Sequence, residues 1–225
     1  MLLFAGIFFL IGAVDELAVD GIWAWLKLSG KASAPPVDRL LASHHPLSGK
    51  AAVMIPAWQE AEVIGATIAH LLAAWPQEEL RLLVGCYRND ARTMEAAQRA
   101  GGADPRFRLV IHDRDGPTTK ADCLNALYRA LGREEQQTGE PFRMVLLHDA
   151  EDMVDPAALW VLDKALDQAE FVQLPVRPEP QPGSRWIAGH YCEEFTEAHA
   201  KAMVVRDAMG AALPAAGVGC AFARP

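Results

Sequence analysis

Apolar residues recur along this chain in two alternating rhythms. Residues 51–55 form a short continuous apolar run ended by Pro56, and Val63, Ile64, Ile68, Leu71, Leu72 and Trp75 then mark one helical face closed by Pro76. Residues 80–87 predict a second strand that leads into Arg88-Asn89-Asp90, followed by a helix over 91–100 and a strand near 107–111. A helix over 120–131, a strand over 144–147, a helix with Pro156 at its first position reaching about Gln168, and a strand over 171–174 continue the series. Repeated strand–helix units with near-continuous apolar strands predict an α/β fold, a mainly parallel sheet with helices on both faces. That layout sets Gln59-Glu60, Asp90 and Asp149-Glu151-Asp152 at the carboxyl ends of successive strands, where open α/β sheets gather ligands. Separated in sequence, these acids should converge in space.

The N-terminus departs from this rhythm. Residues 1–14 carry no charge, yet the run is shorter than the ~20 residues that span a bilayer. A basic n-region and a small-residue cleavage site are both missing, which argues against a signal peptide. Residues 15–28 hold Leu17, Ile22, Trp23, Trp25, Leu26 and Leu28 among acids, the pattern of an interfacial helix with an aromatic anchor. Lys27, Lys31, Arg39 and Lys50 follow and place the downstream part in the cytoplasm by the positive-inside rule. A truncated or tilted membrane anchor is the preferred reading, with a buried N-terminal helix as the alternative. Residues 29–48, rich in Ser, Pro, His and Gly, read as a linker, so the expected organisation is 1–28, 29–48 and a catalytic-type domain over 49–225.

Composition narrows the class. With 225 residues, 51% of them hydrophobic and 22% charged, the chain can bury a sizeable core. A formal net charge of −8, with no basic run interleaved with aromatics, argues against nucleic-acid binding. Cys86, Cys123, Cys192 and Cys220 are scattered without a C-x-x-C pair, which excludes an ordinary zinc knuckle and suggests small core residues in a reducing compartment.

Chemistry concentrates at His148-Asp149-Ala150-Glu151-Asp152, directly after the apolar run 144–147. Carboxylates crowded this closely repel one another, and a hard divalent cation bridging to substrate phosphates is the usual relief. A solvated acidic turn with Asp155 capping the next helix is the competing reading. It accounts for one acid, not for Asp149 and Glu151 alternating straight off a buried strand. His148 reads as an orienting or core residue, because the neighbouring oxygens suit Mg²⁺ or Mn²⁺ better. Asp115-Gly116-Pro117-Thr118-Thr119-Lys120 is a tight turn opening a helix, either a phosphate site with Lys120 or a plain loop with a threonine cap. No Walker A or G-x-G-x-x-G motif occurs, and Gly217-Val218-Gly219 alone is a weak signal. Glu193-Glu194, Glu197 and His199 lack the H-E-x-x-H pattern and read as a solvated helix face.

Five strings, in order, carry a resemblance: Pro56-Ala57-Trp58-Gln59-Glu60, the loop ending in Asp90, residues 116–125 from Gly116 to Asn125, His148 to Asp152, and Ala216-Gly217-Val218-Gly219-Cys220. Together they resemble family 2 glycosyltransferases of the GT-A fold, a Rossmann-like sheet, and in fuller detail the bacterial phage-adsorption type of inner-membrane glycosyltransferase. The resemblance implies a donor site of Pro56, Ala57, Glu60, Asp90, Lys120, Asp149, Gln173, Gly217 and Gly219. Within it, Glu60 and Asp90 match positions that contact the uracil and ribose of a UDP-sugar, and Lys120 one near the phosphates. Asp149-Ala150-Glu151 stands where the family has Asp-x-Asp, which implies Mg²⁺ or Mn²⁺ on Asp149 with either Glu151 or Asp152. Gln173 and residues 217–220 match positions lining the donor sugar or the acceptor.

The family continues to an acidic motif supplying the general base and to a Gln-x-x-Arg-Trp motif, whereas this sequence stops at Arg224-Pro225. The expectation is therefore a C-terminally truncated fragment with the catalytic base unassigned. It would belong to an inverting enzyme that moves a hexosamine-type sugar from a UDP donor to a polysaccharide acceptor at the cytoplasmic face of the bacterial inner membrane, beside export-complex proteins. A catalytically silent donor-binding or assembly module of an export or phage-receptor system is the alternative, and a nucleotidyltransferase a third.

Overall fold

The computed structural model describes every residue except 1, 33–35, 180–182, 184–185 and 225. In chain order the elements are α1 (Leu2–Leu28), α2 (Arg39–His44), β1 (Lys50–Pro56), α3 (Ile64–Ala74), β2 (Leu80–Tyr87), α4 (Ala91–Gly101), β3 (Phe107–His112) and α5 (Lys120–Thr138). They continue with β4 (Phe142–Leu147), α6 (Ala158–Ala165), β5 (Phe171–Gln173), α7 (Ile187–Glu197), a π-helical turn (Ala198–Ala202), α8 (Met203–Ala208) and β6 (Cys220–Ala223).

By contacts the chain forms two compact units, residues 37–174 with 215–225, and residues 1–36 with 175–214. The first is α/β. Its sheet runs β3-β2-β1-β4-β6-β5, parallel from β3 through β4, with β6 antiparallel to β4 and to β5. The interior of β1 is buried on both faces, which is why residues 51–55 read as continuously apolar. Val53, Ile55, Leu82, Val84 and Leu146 pack on one side against Ile64, Ile68, Leu71 and Trp75 of the α3 region and Leu159 and Leu162 of α6. Ala52, Met54, Leu83 and Val145 pack on the other against Cys123, Leu127 and Leu131, spaced four apart on α5. Each fully buried large side chain contributes about 1.5–3 kcal/mol. Gly85 lets α5 come this close, since a Cβ there would stand 2.6 Å from Cys123 Sγ. The expected α/β sheet, mainly parallel and covered on both faces, is thus observed.

Several boundaries differ from expectation. Helix α5 runs on from Leu131 to Thr138 through Gly132, because the good helix formers Arg133 to Gln137 follow, and it ends at Gly139, left-handed at φ 72°. Helix α6 starts at Ala158 and ends at Ala165, so Pro156 lies in the turn before it, and Asp155 Oδ1 accepts from Ala157 N at 2.9 Å. Strand β5 is antiparallel to β6, a four-residue strand that small residues near two glycines did not announce. Within the expected linker, Arg39–His44 is helical and capped by Asp38, while residues 33–35 lie outside the described residues.

The second unit is helical. Helix α1 is continuous, but Asp15, Glu16 and Asp20 interrupt its apolar surface. Among the described residues no helix is long and apolar enough to cross a membrane, so the expected anchor is not supported as a span. Glu193, Glu194 and Glu197 of α7 are exposed, as read from the sequence, whereas His199 turns inward and stacks on Phe195 at 5.5 Å.

Candidate active site

The site begins where β1 ends. Pro56 closes the strand, Ala57 N donates to Gly85 O at 2.8 Å, and Gln59 follows in the left-handed region at φ 60°. A non-glycine residue there needs support. The support is Asp90, which follows β2: its Oδ2 accepts from Gln59 N at 2.6 Å, and its Oδ1 caps α4 by accepting from Thr93 N at 3.3 Å. Thr93 Oγ1 in turn accepts from Glu60 N at 3.0 Å. Asp90 is buried, so it serves first as the joint between two strand-end loops. Glu60, Asp90 and Arg92 border a polar cavity of about 420 Å³.

Strand β4 delivers the acidic loop next to this joint. His148 N donates to Met54 O at 3.2 Å, and the buried His148 ring lies 5.8 Å from that of Trp75, which makes it a core residue as expected. Asp149 then points to α5, where Lys120 Nζ pairs with Asp149 Oδ1 and stands 3.4 Å from Gly217 O. Thr119 caps the same helix by accepting from Asp122 N at 3.1 Å, so the turn is both a threonine cap and the mount for Lys120. The turn is held from β2: Asn89 Nδ2 donates to Gly116 O at 2.9 Å, Gly116 N donates to Asn89 Oδ1 at 2.8 Å, and Arg88 pairs with Asp115.

Pro56, Ala57, Trp58, Glu60, Lys120, Asp149 and Glu151 line one cleft of about 310 Å³. Burial, then the charges of Glu151, Asp149 and Asp90, hold the Glu60 carboxyl above the usual carboxylate range. Convergence of these acids, foreseen from their strand-end positions, is therefore also felt electrostatically. Among the described residues lining this cleft, Lys120 is the one cation. Reasoning from sequence passed over the apolar wall: Trp58 packs edge-on to Tyr87 at 5.2 Å, and Tyr87 Oη lies 2.7 Å from Thr118 Oγ1. The signal was present, an aromatic inside the string 56–60 and another at the end of a strand.

Other expected site residues are used differently. Asp152 turns back, its Oδ2 accepting from Asp149 N at 2.7 Å, so it shapes the loop and does not join Asp149 and Glu151. Among the described residues no group of three or more His, Cys, Asp or Glu is disposed to hold a metal ion. Two carboxylates are still enough for Mg²⁺, which commonly takes one or two of them with phosphate oxygens and water. Both amide atoms of Gln173 are engaged, Oε1 accepting from Ala216 N at 3.0 Å and Nε2 donating to Val218 O at 2.9 Å, which makes it a brace for the glycine loop. Gly217 and Gly219 adopt φ 79° and 62°, and Gly219 N donates to Leu147 O at 3.0 Å as β6 begins. Of the two, Gly217 faces the cleft chemistry through its carbonyl near Lys120.

Four parallel strands that bring acids and a lysine to one cleft at their carboxyl ends define an α/β ligand-binding domain of the doubly covered kind. The chain belongs to the family described as "Glycosyltransferase like family 2", whose model matches residues 49–225, and its mixed sheet is GT-A-like. It is 30% identical over 217 residues to the bacteriophage adsorption protein B of Escherichia coli K12, covering 95% of this chain and 29% of that protein. The bacteriophage N4 adsorption protein B of Escherichia coli O157:H7 matches to the same extent. The chain thus spans under a third of the length of these relatives. Among solved structures, the mannosyltransferase PcManGT from Pyrobaculum calidifontis, in complex with GDP-Man and Mn²⁺, is 19% identical with a TM-score of 0.49, covering 75% of this chain and 47% of that one. Glucosyl-3-phosphoglycerate synthase from Mycobacterium tuberculosis is 18% identical with a TM-score of 0.47, covering 84% of this chain and 63% of that one.

Proposed function

We propose that the α/β unit binds a UDP-sugar and belongs to an inverting, metal-dependent glycosyltransferase that passes a hexosamine-type sugar to a polysaccharide acceptor. The observation that carries this reading is the cleft in which Glu60, Lys120, Asp149 and Glu151 converge. Glu60 and Asp90 border the cavity on one side and would receive the nucleoside, while Lys120 and the Asp149–Glu151 pair would meet the diphosphate. The donor set is all oxygen and short of positive charge, which suits Mg²⁺ or Mn²⁺ held by Asp149 and Glu151. Such an ion supplies charge neutralisation at the leaving diphosphate. Lys120 adds a second positive charge where negative charge develops, the largest electrostatic demand of the reaction. Pro56, Ala57 and Trp58 wall the cleft.

In the same reading the exposed apolar side chains of α1, among them Phe4, Phe8, Phe9 and Trp25, seat the chain at the cytoplasmic face of the inner membrane, beside export-complex proteins. Calorimetry with UDP and Mn²⁺ tests the core of the proposal: wild-type protein should bind, and Asp149→Ala should lose Mn²⁺-dependent binding while its circular dichroism stays unchanged. Equal affinity of the two proteins would overturn it. Binding by the wild type with neither transfer nor hydrolysis of the sugar would assign the domain to a silent binding module instead.

A further inference from the structure

The acidic loop is pinned from beneath by one helix. Thr67 Oγ1 donates to Ala150 O at 2.6 Å, His70 Nε2 donates to Val154 O at 2.9 Å, and Trp75 Nε1 donates to Asp155 O at 3.0 Å. Thr67 and Trp75 are buried, as are Ala150 and Val154. Because a carbonyl only accepts, the His70 contact fixes its hydrogen on Nε2. Thr67 and His70 sit three residues apart on α3, and Trp75 is its C-cap. Between the outer pegs, Glu151 and Met153 are exposed.

The same helix also sets the other side of the cleft. Glu60 O accepts from Val63 N and from Ile64 N at the start of α3, at 3.1 and 3.0 Å. One rigid element therefore fixes the position of Glu60 and, through Thr67, that of Asp149 and Glu151. These carboxylates repel one another, and their charges add to burial in raising Glu60, so without support a loop of acids spreads. Ordering such a loop costs conformational entropy, and a helix that holds it beforehand removes that cost from ligand binding.

We propose that Thr67 and His70 are positioning residues for the ligand site: α3 acts as a template that holds the acidic loop at its working distance from Glu60. This rests on the donor-binding reading above, yet it has a signature of its own. Thr67→Val removes the hydroxyl, leaves the Ala150 carbonyl without its donor and changes little in volume, and Thr67→Ser restores the hydroxyl. His70→Ala, at a half-buried position, is the second variant. Amide hydrogen exchange and Mn²⁺-UDP calorimetry are measured on each. Thr67→Val and His70→Ala should exchange faster over residues 149–155 with the sheet unchanged, and should bind Mn²⁺-UDP roughly tenfold more weakly, with Thr67→Ser close to wild type. Wild-type exchange over 149–155 in both variants overturns the template. Faster exchange with undiminished affinity shows that the loop needs no template to bind. Faster exchange in a protein whose wild type never binds Mn²⁺-UDP defeats the donor-binding reading, and the positioning role with it.

Discussion

Asp90 shows how one side chain can be both strand-end acid and structural joint. Its two oxygens serve Gln59 N, on a backbone held at positive φ, and Thr93 N, in the first turn of α4. Alanine at this position removes the cap on the buried Thr93 N–H and leaves the half-buried Gln59 N–H without its acceptor. Asp90→Ala should therefore lower stability by about 1–3 kcal/mol in urea unfolding. Asn keeps one accepting oxygen and sets an NH₂ donor against the other N–H, so Asp90→Asn should keep only part of the joint and fall between wild type and Asp90→Ala. Equal losses would mean that a single accepting oxygen holds nothing and that the joint needs both. The acid was legible in the sequence as a strand-end carboxylate. Its buried double duty was not, because that depends on where Gln59 and Thr93 arrive.

At the scale of elements, α6 is fastened to the sheet by a buried ion pair at the end away from the cleft. Asp163, fully buried, accepts from Ser48 N and Oγ at 3.1 and 2.8 Å and from Arg143 Nε of β4 at 2.9 Å. Burial pushes its carboxyl up, but Ser48, Arg143 and Lys164 outweigh that and hold it below the usual range. A carboxyl lowered on folding stabilises fully above its unfolded value of about 3.9. That stability is lost as pH falls through the lower folded value. Asp163→Ala should cost about 3–5 kcal/mol near neutral pH, since Arg143 and Ser48 lose their partner. The gap between wild type and variant should narrow below about pH 4 in acid unfolding. A gap independent of pH would show that the charge contributes nothing.

Elements were legible where burial writes a simple pattern, as in β1, β2 and β4 and in the apolar faces of α3 and α5. They were not legible where hydrogen bonds decide. Asp152 reads as a ligand until its oxygen is seen on Asp149 N, and Gln173 until its amide is seen to brace residues 216–218. Thr67 and His70 look like polar interruptions of an apolar helix, and only the loop above them gives them a purpose. The place of β5 at the sheet edge likewise depends on β6, which lies far along the chain and separates β5 from β4.

For the whole molecule, the net charge of −8 and the acids around the cleft make a bare polyanion an unfavourable partner unless cations mediate. Family membership covers residues 49–225, and the ligand chemistry gathers in the α/β unit, at the carboxyl ends of β1, β2 and β4. The claim on which everything else depends is that residues distant in sequence form a single cation-mediated diphosphate site. Mn²⁺ broadens amide resonances around its binding position, so a titration of labelled protein in the presence of UDP reads that site directly. The expected result is selective broadening within residues 56–60, near Lys120 and over 148–151, lost in Asp149→Ala. Broadening centred elsewhere, for instance on the exposed glutamates of α7, or independent of UDP and of Asp149, would contradict the account.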